Sequence, residues 1–139
     1  MKKALVIGGS GFLGSHVADC LTNEGYNTTI LDQNKSPWLN KKQKMIVGDI
    51  LDKKVLNQAV AKANFVYNFA GISDLNMALD KPIRSAEMNI IGNLNILEAC
   101  KKYKIKRFCF ASTVYAESKE GGFYRCSKIA SEKYIEEFQ

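Results

Sequence analysis

The feature that most constrains the fold of this chain is a glycine-rich segment near the N-terminus, Gly8–Gly14, with the sequence GGSGFLG. It follows a continuous apolar run, Lys3–Gly8, of the kind found in a parallel strand buried on both faces. It opens a stretch, Phe12–Asn23, in which apolar residues recur at helical spacing. Glycines between a strand and a helix allow a tight turn and a close approach of the backbone to a phosphate. The segment therefore predicts an α/β fold whose first strand ends at a phosphate-binding loop.

The rest of the chain alternates between short apolar runs and helical stretches. We predict strands at Asn27–Leu31, Lys44–Val47, Asn64–Phe69 and Lys106–Ala111, and helices at Asp52–Lys62, Ile83–Tyr103 and Phe123–Phe138. Gly25 is expected to cap the first helix in a left-handed conformation, and Asp52 to cap the second helix at its N-terminus. Such alternation produces right-handed βαβ units. We therefore predict a single Rossmann domain over residues 1–139, a doubly wound parallel sheet with strand order 3-2-1-4-5 and helices on both faces.

Composition narrows the classes of partner. The net charge is +6, but the lysines stand in small groups at predicted helix ends and loops, which favours a solvated surface over a nucleic-acid interface. No apolar run approaches the roughly 18 residues that a membrane span needs, and no signal-peptide cleavage site follows the N-terminal run. The cysteines at 20, 100, 109 and 126 lack metal-site spacing, so we expect small buried thiols. We expect a cytoplasmic protein with no membrane, metal or nucleic-acid partner.

An acidic residue, Asp32, follows the second predicted strand. A carboxylate there accepts hydrogen bonds from the adenosine ribose and repels a 2′-phosphate, which favours NAD over NADP. Lys35 nearby weakens that preference, and an ordinary turn aspartate is the alternative interpretation. The loop residues expected to contact the cofactor are Gly8, Gly11, Phe12, Leu13 and Gly14, with the pyrophosphate at the helix N-terminus.

Further motifs follow the other predicted strands. They are Gly8–His16 (GGSGFLGSH), Gly48-Asp49-Ile50, Asn68-Phe69-Ala70-Gly71, the pattern Asn89-x-x-Gly92-x-x-Asn95-x-Leu97-Glu98-Ala99, Phe110-Ala111-Ser112-Thr113-Val114-Tyr115, and Tyr124-x-x-x-Lys128. In this order and at these strand ends, the set resembles the extended short-chain dehydrogenase/reductases, the group that contains nucleotide-sugar epimerases and dehydratases. The resemblance implies the Rossmann fold, a bound NAD and a nucleotide-activated sugar as substrate.

The resemblance also implies positions for cofactor contacts beyond the glycine loop. Asp49 and Ile50 would lie at the adenine, with Asp49 towards its amino group. Phe69, Ala70 and Gly71 would line the cofactor beyond the pyrophosphate, and Asn89 would lie near it from the long helix. A cap at the approach to the next helix is the alternative for Asp49.

Tyr124 and Lys128 are the candidate catalytic pair. Residues four apart project from one face of a helix, and an ammonium beside a phenol favours the phenolate that a general acid/base needs. In the family the lysine also holds the nicotinamide ribose, and a Ser or Thr hydroxyl orients the substrate. Thr113 is our first choice for that hydroxyl and Ser112 the second, since the segment aligns with either. Tyr115 is expected to pack beside the fifth strand.

Two function classes follow. The first is an NAD-dependent epimerase or dehydratase of a nucleotide sugar, with Tyr124 as general acid/base. The second is an NAD-binding module without turnover, because family members continue with further strands and a substrate lobe beyond Gln139. His16 is expected to be structural, and Trp38 to cover the adenine or pack. We also expect a homodimer through Ile83–Tyr103 and Phe123–Phe138, with the fifth strand left as a sheet edge.

Overall fold

The computed structural model describes all of residues 1–139, which form one parallel sheet with helices on both faces. The strands are β1 Lys3–Ile7, β2 Asn27–Asp32, β3 Lys44–Val47, β4 Phe65–Asn68 and β5 Arg107–Phe110. Their order in the sheet is β3-β2-β1-β4-β5, with every pairing parallel. The predicted strand order is therefore confirmed, and β3 and β5 are the edge strands.

The first strand lies at the centre because its residues are apolar on both faces. Leu5 and Ile7 project to one face and Val6 to the other, and all three are at most 1% exposed. At its carboxyl end Ile7 pairs with Leu31 of β2 and with Asn68 of β4. The loops after β1, β2 and β4 therefore meet at one edge of the sheet, where the chain reverses its winding direction.

Helices cover both faces of the sheet. They are α1 Phe12–Asn23, α2 Lys53–Val60, α3 Leu75–Asp80, α4 Pro82–Ala86, α5 Gly92–Lys102 and α6 Gly122–Glu137, with a π-helical turn at Glu87–Ile91 and a 3-10 turn at Val114–Glu117. The larger core cluster joins Leu5 and Ile7 to apolar residues of α2 and α5. The smaller cluster joins Val6 to Ala18 of α1.

The predicted caps are confirmed. Gly25, just after α1, has φ 81°, the left-handed conformation that ends many helices. Asp52 accepts hydrogen bonds from the backbone N–H groups of Lys54 and Val55 at 2.9 and 3.2 Å, which satisfies two of the free donors at the start of α2. Local sequence therefore sets where these two helices begin and end.

The prediction of one regular helix over Ile83–Tyr103 was wrong, because the segment is divided into α4, a π-helical turn and α5. Pro82 occupies the first turn of α4, and the helix then widens into the π turn before continuing as α5. Within that turn, the backbone carbonyl of Asn89 accepts a hydrogen bond from Ser131 Oγ of α6 at 2.7 Å. The irregular turn therefore makes a hydrogen bond with another helix. The apolar spacing of the segment could not reveal this contact.

One further helix, α3, had no counterpart in the sequence prediction. Its N-terminus is capped by Asp74, whose carboxylate accepts from Met77 N at 2.8 Å. Only Ala78 of this helix is buried, so the segment lacks the apolar stripe by which a helix is recognised. The aspartate cap was the one available signal.

The thiol prediction was wrong for two residues. Cys100 is buried, Cys109 is partly buried, and Cys20 and Cys126 are exposed on α1 and α6. Each of the exposed thiols lies on the solvent side of its helix, so helical spacing and not residue type decides burial there. None of the helices is both long and apolar enough to cross a membrane.

Candidate cofactor and catalytic cleft

A cleft of about 770 Å³ opens at the carboxyl edge of the sheet, where β1 and β4 lie side by side. That volume is typical of sites for small molecules and cofactors. The residues lining it that the sequence analysis selected are Gly8, Gly11, Phe12, Leu13, Gly14, Asp32, Ile50, Phe69, Ala70, Gly71, Ser112, Tyr124 and Lys128. The fold therefore brings residues from all parts of the chain to one cavity.

The glycine loop forms the floor of the cleft. At two of its glycines the backbone lies so close to neighbouring backbone atoms that no side chain would fit. A Cβ on Gly8 would lie 2.5 Å from the backbone nitrogen of Ala70, and φ at Gly8 is 77°. A Cβ on Gly14 would press on the carbonyl group of Gly8. A Cβ on Gly11, by contrast, would meet only Gly8 O at 3.5 Å and would otherwise enter open space. The loop is thus tight against the protein and open towards the cleft.

Asp32 stands at the end of β2 beside this loop. Its two carboxylate oxygens accept one backbone hydrogen bond each, from Ser10 N and from Asn34 N, both at 3.0 Å. A carboxylate oxygen accepts about two hydrogen bonds, so each retains capacity on the side of the cleft. The two backbone contacts hold Asp32 in place while leaving it able to accept from hydroxyl groups.

Asp49 and Ile50 after β3 are placed differently from each other. Ile50 is buried and lines the cleft. Asp49 does not line it: one oxygen accepts from Leu51 N at 2.9 Å, and the other faces the Arg84 guanidinium at 3.8 Å. In this conformation Asp49 organises its own loop, while the cap of α2 is Asp52.

Asn89 lies behind the cleft wall and not at its surface. Its side-chain amide bonds the backbone of Ile72 twice, accepting from N at 2.7 Å and donating to O at 2.9 Å. It also donates to Ser127 Oγ of α6 at 2.9 Å. This 4% exposed side chain therefore joins the loop after β4 to the helix that carries the tyrosine and lysine.

Tyr124 and Lys128 occupy successive turns of α6 at the far end of the cleft. The Lys128 Nζ lies 5.8 Å from the Tyr124 ring centroid and 4.4 Å from that of Phe110. It donates a hydrogen bond to the carbonyl oxygen of Ala111 at 2.6 Å. Burial lowers the pKa of Lys128 to about 8, while the nearby Glu132 acts in the opposite direction. The phenol and the amine thus project from one helix face, as their spacing predicted.

The two candidate hydroxyls after β5 differ in environment. Ser112 lines the cleft, and its Oγ donates to the Glu132 carboxylate. Thr113 does not line it, and its Oγ1 accepts from Tyr115 N at 3.3 Å at the start of the 3-10 turn. The geometry therefore favours Ser112, our second choice, as the hydroxyl available to a ligand. Tyr115 packs edge-on against Tyr124, with 6.3 Å between ring centroids.

Several lining residues escaped the sequence analysis. They are Gln33, Asn34, Ile72, Ser73, Met77, Lys81, Arg84 and Met88. Most belong to α3, α4 and the loop before them, the region whose structure the sequence pattern did not predict. His16 is exposed, with its ring 5.0 Å from that of Phe12, and Trp38 is 64% exposed; neither lines the cleft.

Comparison with known proteins places this geometry in context. The model of the NAD dependent epimerase/dehydratase family matches residues 4–139. The UDP-N-acetyl-alpha-D-glucosaminuronate decarboxylase of Bacillus cytotoxicus is 36% identical over 118 residues, which are 81% of this chain and 36% of that protein. The solved structures that are similar to this chain include UDP-glucose 4-epimerases from Thermotoga maritima and Thermus thermophilus.

The two structures resemble the chain closely. The enzyme from Thermotoga maritima with UDP-glucose is 30% identical, with a TM-score of 0.89 over 98% of this chain and 50% of that one. The enzyme from Thermus thermophilus in complex with NAD is 29% identical, also with a TM-score of 0.89 over 98% of this chain and 50% of that one. The chain thus spans about a third to a half of the length of these proteins.

Proposed function

Because the chain belongs to the NAD-dependent epimerase/dehydratase family, we propose that it binds NAD in the cleft and supplies the acid/base residues of an enzyme acting on a nucleotide-activated sugar. The observation that carries the proposal is the content of one cavity: a glycine loop and Asp32 at one end, Tyr124 and Lys128 at the other. NAD-complexed and UDP-glucose-complexed epimerases among the similar structures support it.

The residues present fit the proposed cofactor. The open space over Gly11, next to a loop too tight for side chains, suits a pyrophosphate that approaches the backbone at the N-terminus of α1. Asp32 retains acceptor capacity for the adenosine ribose hydroxyls. When bound, NAD supplies a nicotinamide that exchanges a hydride with the substrate carbon.

The proposed chemistry of the chain's own residues is proton transfer at the substrate hydroxyl. The Tyr124 phenol exchanges that proton, and the Lys128 ammonium one turn away favours the phenolate form. With a pKa of about 8, Lys128 is mostly protonated at neutral pH. Ser112 lines the same cleft, and because its hydroxyl hydrogen is donated to Glu132, its oxygen would accept a hydrogen bond from the substrate.

Calorimetric titration of the chain with NAD and NADP tests the cofactor assignment. We expect NAD to bind at least tenfold more tightly, because Asp32 would face a 2′-phosphate with like charge. Asp32→Ala should weaken NAD binding and narrow the difference between NAD and NADP. Glu24→Ala, which removes an exposed carboxylate just after α1, serves as the control. Equal affinities for wild type would contradict the assignment. NAD binding without any turnover in the assembled protein would favour the alternative function, a non-catalytic NAD module.

We also propose a homodimer through the segment Ile83–Tyr103 and α6. Exposed apolar side chains lie there, including Phe123 and Tyr134, which are 48% and 45% exposed. These two residues are three turns apart and therefore share one face of α6. Light scattering over a concentration series should give the dimer mass, and Tyr134→Glu should weaken the association. A monomer mass at the highest concentration would contradict this proposal.

A further inference from the structure

One acidic residue of α6 has no part in the function proposed above. Glu132 follows Lys128 by four residues and Tyr124 by eight, so the three side chains occupy successive turns of the helix. Only the first two have a place in the proton transfer.

Glu132 is bonded to the wall of the cleft. Its carboxylate accepts the hydrogen bond from Ser112 Oγ. One turn earlier, Lys128 Nζ donates to the carbonyl oxygen of Ala111 at 2.6 Å. Two neighbouring residues after β5 are therefore held by two side chains from consecutive turns of α6.

Glu132 also supplies negative charge near a buried ammonium. Lys128 is 8% exposed. Apart from Glu132, the groups near its Nζ are uncharged: the Phe110 ring, the Ala111 carbonyl and the Tyr124 ring. Burial lowers the pKa of Lys128, and Glu132 is the charged group that raises it. The carboxylate therefore counteracts the loss of the proton that burial promotes.

We propose that Glu132 is a positioning residue of this site, which fixes the Ser112 hydroxyl at the cleft and keeps Lys128 in its ammonium form. The proposal rests on the proposed function, because the ammonium matters there through its effect on Tyr124. Glu132 acts through Ser112 and Lys128 and need not touch the substrate itself. The site thus extends from a pair to a set of four side chains, three on α6 and one after β5.

The test separates the charge of Glu132 from its hydrogen bond. Glu132→Gln keeps an acceptor oxygen for Ser112 but removes the charge. We expect the pKa of Lys128, followed by NMR of the side-chain nitrogen in the ligand-free chain, to fall by roughly half a unit or more. Glu132→Asp, which keeps a carboxylate, should stay nearer to wild type. The Lys128 signal is identified by its loss in Lys128→Met.

A matched control lies one turn further along the helix. Glu136 makes an exposed ion pair with Lys133 at 3.0 Å, so Glu136→Gln removes the same charge at a greater distance from Lys128. It should leave the Lys128 titration unchanged. Equal titration curves for Glu132→Gln and Glu136→Gln would overturn the proposal and reduce Glu132 to a structural contact.

Failure of the proposed function would be recognised separately. The titration uses the ligand-free chain and tests the coupling of Glu132 to Lys128 alone. NAD titration of wild type tests the function. If Glu132→Gln does not fold, Glu132→Ala decides, with Glu136→Ala as its control. A Lys128 pKa lower by roughly half a unit or more in Glu132→Ala supports the proposal, and equal Lys128 titrations in the two variants overturn it.

Discussion

Replacing Gly14 by alanine would insert a methyl group into the tightest contact of the cofactor loop. The new Cβ would press on the carbonyl oxygen of Gly8 and lie 2.9 Å from both the carbonyl carbon of Gly8 and the Cα of Gly9. These are backbone atoms, so no flexible side chain can move away to make room. Relief requires a shift of the turn between β1 and α1.

The cost can be estimated from two opposing contributions. Overpacking of this kind destabilises by about 1 to 3 kcal/mol, and a backbone clash belongs at or above the upper end. Because Gly14 lies within α1, alanine returns about 1 kcal/mol in helix propensity. The net loss is then about 2 kcal/mol. For 139 residues the entropy of unfolding is about 0.3 kcal/mol/K, so the Tm should fall by about 7 °C.

The matched control is the neighbouring glycine of the same motif. Gly11→Ala would place its Cβ 3.5 Å from Gly8 O, an ordinary contact, and φ at Gly11 is −78°, which alanine adopts freely. Its Tm should stay within about 2 °C of wild type, but its methyl group would occupy the space proposed for the pyrophosphate. NAD affinity measured by calorimetry should therefore fall at least tenfold.

Differential scanning calorimetry of both variants, with and without NAD, makes the comparison. Gly14→Ala should lose stability in the free protein, and Gly11→Ala should lose only the stabilisation that NAD adds to wild type. A Gly14→Ala protein with wild-type Tm would refute the packing argument. A Gly11→Ala protein with wild-type NAD affinity would refute the placement of the phosphates.

Two further predictions concern α6 and the proposed roles of its side chains. In an assembled enzyme that can be assayed, Tyr124→Phe should reduce turnover by at least a hundredfold and leave NAD affinity nearly unchanged, whereas Lys128→Met should impair both; an unchanged rate in Tyr124→Phe would remove that residue from the mechanism. Burial lowers the pKa of Lys128 to about 8 from 10.5, so the unfolded chain holds this proton more tightly than the folded one. The free energy of unfolding of wild type relative to Lys128→Met should therefore rise between pH 8 and pH 10.5, by on the order of 2 to 3 kcal/mol, in urea titrations at several pH values. A difference that does not vary with pH would contradict the burial of this charge.

The sequence by itself determined the fold and the glycine-loop end of the cleft, where we propose that the cofactor binds. An apolar strand, a glycine turn and an amphipathic helix are adjacent in the chain, so their pattern predicts the loop and the strand order around it. The caps at Gly25 and Asp52 were predictable for the same reason, because a cap bonds residues two or three positions away. Tyr124 and Lys128 also share one helix, and their spacing alone sets their common face.

Only the tertiary structure decided the rest of the site. The choice of Ser112 over Thr113 as a lining residue depends on how β5 meets α6, and Glu132 lies 20 residues from the serine that it bonds. The break in the predicted long helix likewise accompanies a contact between Asn89 and Ser131, 42 residues apart. A hydrogen bond between distant segments depends on packing that no local pattern encodes. Residues near in sequence therefore revealed the cofactor loop, and residues brought together by folding completed the proposed catalytic end.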